Sequence, residues 1–224
     1  MSPRLILADA SSADDLITFT SRAVRLGDGG VRLKSADGVL IVTSAPLAPT
    51  GLGDATPTIL GVRILAADPE LQCDLVVDAI AIERDEDHPA AIRLPDVGRA
   101  PAWAGVTPPQ SGWAPEARIA SEALTERADV GVQAVATGVP PGAGEDVVRR
   151  VRAAVWGRPS SDLAELPAGV AFVATTLGFV REQETAQVYR APGWRRISLR
   201  RGHIMVREPQ VIGLTPVRST GTAS

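Results

Sequence analysis

The feature that most constrains the fold is a strict alternation near the C-terminus, from Trp194 to Arg207. Ile197, Leu199, Ile204 and Val206 fall on one side of an extended chain; Trp194, Arg196, Ser198, His203, Met205 and Arg207 fall on the other. Period-two alternation of this kind predicts a β-hairpin with one dry face and one polar face. With Arg201-Gly202 as a two-residue turn, Leu199 faces Ile204 and Ile197 faces Val206. On the polar side Arg200 then faces His203, Ser198 faces Met205, and Arg196 faces Arg207. Like charges directly opposite each other cost roughly 0.2–1 kcal/mol. An anion or acidic surface above the arginines would offset that cost, so Trp194, Arg196, Arg200, His203 and Arg207 are candidate binding residues.

A dry hairpin face needs a layer to lie on, and the rest of the chain supplies helices and further strands. Arg4–Ala8 reads as a short strand, and a helix beginning at Ser12 repeats Leu16, Phe19, Ala23 and Leu26 before the stop at Gly27. Val31–Ser35 and Val39–Thr43 flank Asp37-Gly38, a hairpin signal, and Thr58–Ala66 is a third strand. Leu75, Val76, Ala79 and Ile80 suit a helix, while Val77–Ile82 suits a buried strand equally well. Ala91–Leu94 is one more strand.

Prolines 95, 101, 108, 109 and 115 then interrupt regular structure. Residues 95–115 therefore read as a connector between an acidic half, 1–94, and a basic half, 116–209. Trp103 and Trp113 predict that this connector lies down on the protein rather than swinging free.

In the second half, a helix is expected from Glu116 to about Ala136, whole or broken near Gly131. Glu145–Trp156 is the strongest helix signal, with Val147, Val148, Val151 and Val155 on one face and acids at its start. The apolar stretch from Pro167 to Val180 reads as a core helix, followed by strands near Thr185–Arg190, Trp194–Leu199 and His203–Arg207. Residues 210–224 lack periodicity and read as a disordered tail.

Both halves thus contain a helix, a strand, a turn ending in glycine, and two further strands. Ser35-Ala36-Asp37-Gly38-Val39 matches Arg190-Ala191-Pro192-Gly193-Trp194 in this pattern. The expected fold class is α+β with antiparallel sheets, and a pseudo-duplicated αβββ unit competes with coincidence as the reason for the echo.

Composition narrows the function by exclusion. A single cysteine, Cys73, excludes an internal disulfide framework. No apolar run reaches the roughly 20 residues of a membrane span, and Met1–Asp9 lacks the core of a signal peptide, which together point to the cytoplasm. Lys34 is the only lysine among 23 cationic side chains. Two histidines and one cysteine leave no zinc motif, and Gly29–Ser35 lacks the glycine that a phosphate loop needs before Lys34. Glu83–His88 is acidic enough for a divalent cation but lacks ligand periodicity, so it reads as a solvated loop. The glycines before Glu145 read as turn and cap, since Glu145 and Asp146 would repel a phosphate. No metal or cofactor is expected.

The charge is split. Residues 1–114 carry a net −6 and residues 115–224 a net +3. The two halves can attract each other, or the basic half can meet an acidic partner; Arg149, Arg150 and Arg152 extend its positive surface if their helix packs on the hairpin. The leading reading is a non-catalytic cytoplasmic binding protein that engages an acidic protein or anion through the arginine-rich sheet face. The alternative is an enzyme or sensor for a small phosphorylated or carboxylated metabolite, with His203 or a carboxylate moving the proton. A third is nucleic-acid binding, which a pI of about 5.5 disfavours. The sequence leaves the oligomeric state open, a homo-oligomer included.

Overall fold

The computed structural model describes residues 4–51 and 53–209, so the expected tail lies outside the described residues. In the first half, helix α1 (Ala10–Ala23) begins ahead of the expected Ser12, because Asp9 is its cap. The Ser12 N–H donates to Asp9 Oδ1 at 2.7 Å, satisfying an end-of-helix donor. Leu16, Phe19 and Ala23 form the buried stripe that their spacing predicts.

Strand β1 (Arg4–Ile6) precedes this helix, and β2 (Gly30–Ala36), β3 (Val39–Leu47) and β4 (Thr58–Ala66) follow it as an antiparallel meander. The Asp37-Gly38 turn has positive φ at both residues, +52° and +77°, the conformation a two-residue hairpin favours. Neither expectation for residues 75–82 holds as drawn: a strand, β5, covers Cys73–Asp78, and a short 3₁₀ turn over Ala79–Ala81 ends it. Pairing with β2 settles a choice that the apolar run alone left open.

Strands β6 (Glu83–Arg84) and β7 (Ala91–Arg93) form a small separate sheet with β1. The acidic run is knitted into it. Asp85 is buried, lies 2.8 Å from Arg4 Nε, and accepts from the N–H groups of Asp87 and His88. Arg84 pairs with Asp14 of α1.

The second half opens with a correction. Residues Ala114–Ala120 form strand β8, and the helix starts only at Ser121; edge pairing with β11 overrides the helical propensity of Ala, Glu and Arg. Helix α2 (Ser121–Gly138) then runs unbroken through Gly131, which lies against Trp156. Helix α3 (Glu145–Trp156), the short strands β9 (Pro159–Ser160) and β10 (Leu166–Pro167), and helix α4 (Gly169–Thr176) follow. The meander β11 (Thr185–Ala191), β12 (Trp194–Leu199) and β13 (Gly202–Arg207) completes the half.

The two meanders join into one eight-stranded antiparallel sheet, in the order β5-β2-β3-β4-β13-β12-β11-β8. The seam is β4 against β13, with Gly61 opposite Ile204 and Ile59 opposite Val206. On either side the strand order mirrors itself: α1-β2-β3-β4 in one half corresponds to α4-β11-β12-β13 in the other. This agrees with the expected duplication of an αβββ unit.

All four helices among the described residues share one core, which runs through both halves from Leu5 to Val206. Helix α4 and the residues after it sit directly on the seam. A side chain on Gly61 would collide with Leu177, and a Cβ on Gly202 would lie 2.5 Å from the Phe179 ring. Arg22 of α1 reaches across to donate to the Leu177 carbonyl at 2.8 Å.

The other face of the sheet is covered by the connector. Trp103 and Trp113 belong there to an apolar cluster with Leu60, Val62, Trp194 and Met205. No helix among the described residues is long and apolar enough to cross a membrane.

Candidate functional site

The hairpin keeps its expected faces but changes its register. Its turn is Arg200-Arg201, and Leu199 pairs with Gly202, Ile197 with Ile204, Ser198 with His203, and Trp194 with Arg207. Moving the turn back by one residue shifts each partner by two, which leaves every side chain on its own side of the sheet. Gly202 serves the close approach of Phe179 rather than the turn, which is why its position misleads. Arg196 therefore faces Met205, and the opposed arginine pair expected from the sequence does not occur.

Trp194, Arg196, His203 and Arg207 share the connector-covered face. Trp194 is buried in its apolar cluster. The Arg196 guanidinium lies between two rings, 4.8 Å from the centre of Trp113 and 4.6 Å from that of Tyr189. Its charge is thus met from both sides by aromatic faces. Arg195, on the opposite face, is held by Glu116 at 3.1 Å and Glu208 at 3.6 Å. Arg200 sits in the turn, its N–H donating to Glu184 Oε1 at 2.7 Å. The charges of Arg195 and Arg196 are therefore met within the chain, whereas the Arg200 contact is made by its backbone N–H.

His203 lies beside Ser198, with Nδ1 3.1 Å from the hydroxyl oxygen. Burial first, and then the nearby Arg196 charge, lower its pKa below the ordinary value. The folded state thus resists protonation while the unfolded chain accepts a proton at about pH 6.5. Stability should fall as the pH drops below that value. Urea unfolding across this range is expected to show the loss in the native chain and a flatter profile in His203→Gln.

Arg149 and Arg150 sit on α3, which packs on α2 and α4 rather than on the hairpin. Arg149 pairs with Asp146 one turn earlier. Together with Arg152 it opens into a cleft of about 950 Å³, at the end of the sheet where β2 begins and β3 ends. The facing wall includes Leu47, Ala48, Pro49, Pro101 and Trp103, with Asp28 and Asp78 at its rim. Arg99 holds both acids, at 2.8 Å from Asp78 and 3.5 Å from Asp28, and the Trp103 Nε1–H points at Asp28 from 3.3 Å.

A second, more polar depression of about 560 Å³ lies over Arg181–Thr185 and Ser198–Arg200. His203 lines neither. No group of three or more His, Cys, Asp or Glu residues is placed to hold a metal among the described residues.

Sequence reasoning did not single out Arg99 or Tyr189. Tyr189 carried a readable signal, since it alternates in phase on its strand. Arg99 carried none, because its partners come from two distant turns.

Comparison with known proteins agrees with this architecture. Residues 1–105 match the family model described as Domain of unknown function (DUF8010), and residues 108–211 match that described as Domain of unknown function (DUF8185). The two spans meet inside the connector. A search of curated proteins gave no match.

Among solved structures, a protein described as a DNA polymerase III beta subunit from Eubacterium rectale superposes with a TM-score of 0.51, at 10% identity over 95% of this chain. The DnaN sliding clamp (DNA polymerase III subunit beta) from Bartonella birtlesii, bound to griselimycin, gives 0.50 at 11% identity over 94%. The chain spans 66% of the length of either. The fold is sliding-clamp-like, mixed α+β in two parts.

Proposed function

We propose that the protein is a non-catalytic binding protein, a clamp-type scaffold that holds an acidic protein partner in the cytoplasm. The observation that carries the reading is the cleft beside α3, where arginines face an apolar wall. Likeness in fold to DNA polymerase sliding clamps supports a role in holding rather than converting a molecule. The aromatic faces around Arg196 favour this cleft over the hairpin as the contact site.

Duplex DNA held against the helices is the second reading, and charge weighs against it. Helices α1 and α2 carry five carboxylates and two arginines. Of those arginines, Arg22 is committed to the Leu177 carbonyl and Arg127 to Asp162. A surface that tracks phosphates needs the reverse balance.

A thermal-shift comparison separates these readings, because a ligand that binds only the folded state raises the melting temperature. Polyglutamate is expected to raise it, with the effect fading as salt rises, and a duplex oligonucleotide is expected to leave it unchanged. An equal rise with the duplex would overturn the assignment in favour of nucleic acid. A salt-resistant rise with one small phosphorylated metabolite would overturn it in favour of the enzyme or sensor.

A further inference from the structure

We propose that the α3 cleft is a docking site for a short extended protein segment in which aliphatic side chains alternate with carboxylates. The inference rests on the reading as a binding protein and assigns its site and the chemistry of its partner. Its starting point is that α3 has no counterpart in the duplicated plan. The first half passes from α1 straight into its meander, whereas the second inserts α3 between α2 and α4. One wall of the cleft therefore belongs to this chain rather than to the shared αβββ unit.

That wall is incompletely covered. The apolar face of α3 follows the spacing of Val147, Val148, Val151 and Val155, yet Trp156 is its only fully buried residue. Val148 lines the cleft and meets open space. The facing wall is stiffened by Pro46, Pro49 and Pro101, so an occupant finds a surface that needs little ordering. Apolar lining on both sides suits aliphatic side chains. A small polar metabolite would instead need several convergent donors.

Charge sets the second requirement. Asp28 and Asp78, on the side of the cleft away from α3, share a single cation, Arg99. Glu145 stands in the first turn of α3, where the helix dipole favours a carboxylate. Arg149 is paired with Asp146. Arg152 has no ion-pair partner among the described residues, and its buried Nε makes no hydrogen bond. The Trp156 ring lies 5.5 Å from its guanidinium carbon. The cleft thus lacks an anion beside Arg152, next to an aliphatic seat at Val148. A partner carboxylate would supply it through a charge-assisted hydrogen bond.

The test is fluorescence anisotropy of the full chain with a fluorescein-labelled octapeptide of alternating leucine and aspartate. Saturable binding is expected, and Arg152→Glu should weaken it by about tenfold or more. Arg152→Lys should retain most of it. A peptide with lysine in place of aspartate should bind Arg152→Glu better than the native chain. Arg150→Glu, on the same helix but outside the cleft lining, should leave binding unchanged.

Circular dichroism equal to that of the native chain separates loss of contact from loss of α3, with Arg152→Gln as the milder replacement. Absence of saturable binding, or equal loss from Arg150→Glu and Arg152→Glu, overturns the proposal. If Arg207→Glu weakens binding and Arg152→Glu does not, the cleft assignment fails while the binding-protein reading stands.

Discussion

Phe179→Ala is expected to remove about 3–5 kcal/mol of folding stability, the range for deleting a buried phenylalanine side chain. The ring is buried where the two halves meet, covers the backbone of Gly202, and stacks on Phe19 of α1 with ring centres 6.3 Å apart. It is thus a contact shared by the seam strand β13, the helix of the first half, and the segment following α4. A domain of ordinary stability, roughly 5–15 kcal/mol, would lose a large part of its margin. Urea unfolding followed by far-ultraviolet circular dichroism should show one cooperative transition for the native chain, displaced to lower urea in the variant. A loss below about 1 kcal/mol, or two separated transitions in the native chain, would contradict the single shared core.

Trp156→Ala is expected to cost a similar amount, about 3–5 kcal/mol, but to act more locally. Trp156 ends α3, stacks on Phe172 of α4 at 4.0 Å, and fits against Gly131 of α2 and Gly169 of α4. It is the main tie between α3 and the body of the molecule. Its removal should speed amide exchange throughout α3 while the sheet stays protected. Binding of the acidic peptide should fall with it, since the cleft loses a wall. Trp156→Phe keeps the stacked ring and removes a buried Nε1–H that has no hydrogen-bond partner, so it should cost less than about 1.5 kcal/mol. A native exchange pattern in Trp156→Ala would show that α3 is held by other contacts.

What the chain discloses in advance is chiefly local. The faces of the β12–β13 hairpin, the Asp37-Gly38 turn and the αβββ echo are readable because each depends on neighbouring residues. The docked connector is readable too, since two tryptophans in a proline-rich stretch need a surface. Three features depend on distant partners and leave no local mark. Strand β8 looks helical until β11 pairs with it. The turn of the last hairpin is displaced because Gly202 answers to Phe179. The Arg196 charge, read from the sequence as open to a partner, meets Trp113 and Tyr189 instead. The cleft belongs to the same class: its walls come from the ends of β2 and β3, the connector and α3, brought together only by the closed fold.

The seam has a consequence for how the chain is made. Strand β4 receives its second neighbour only from β13, the last strand of the described chain and more than half its length away. Until β13 is synthesised, β4 stands as an open edge whose two sides carry Ile59, Leu60 and Val62. Such an edge is a template for pairing with another nascent chain. Pairings so distant in sequence also form slowly. The first half therefore emerges complete in its local structure but unprotected along one border, which closes only once β13 has been made. Chains stopped short of Gly202 are expected to aggregate, even though every residue of the first half is present.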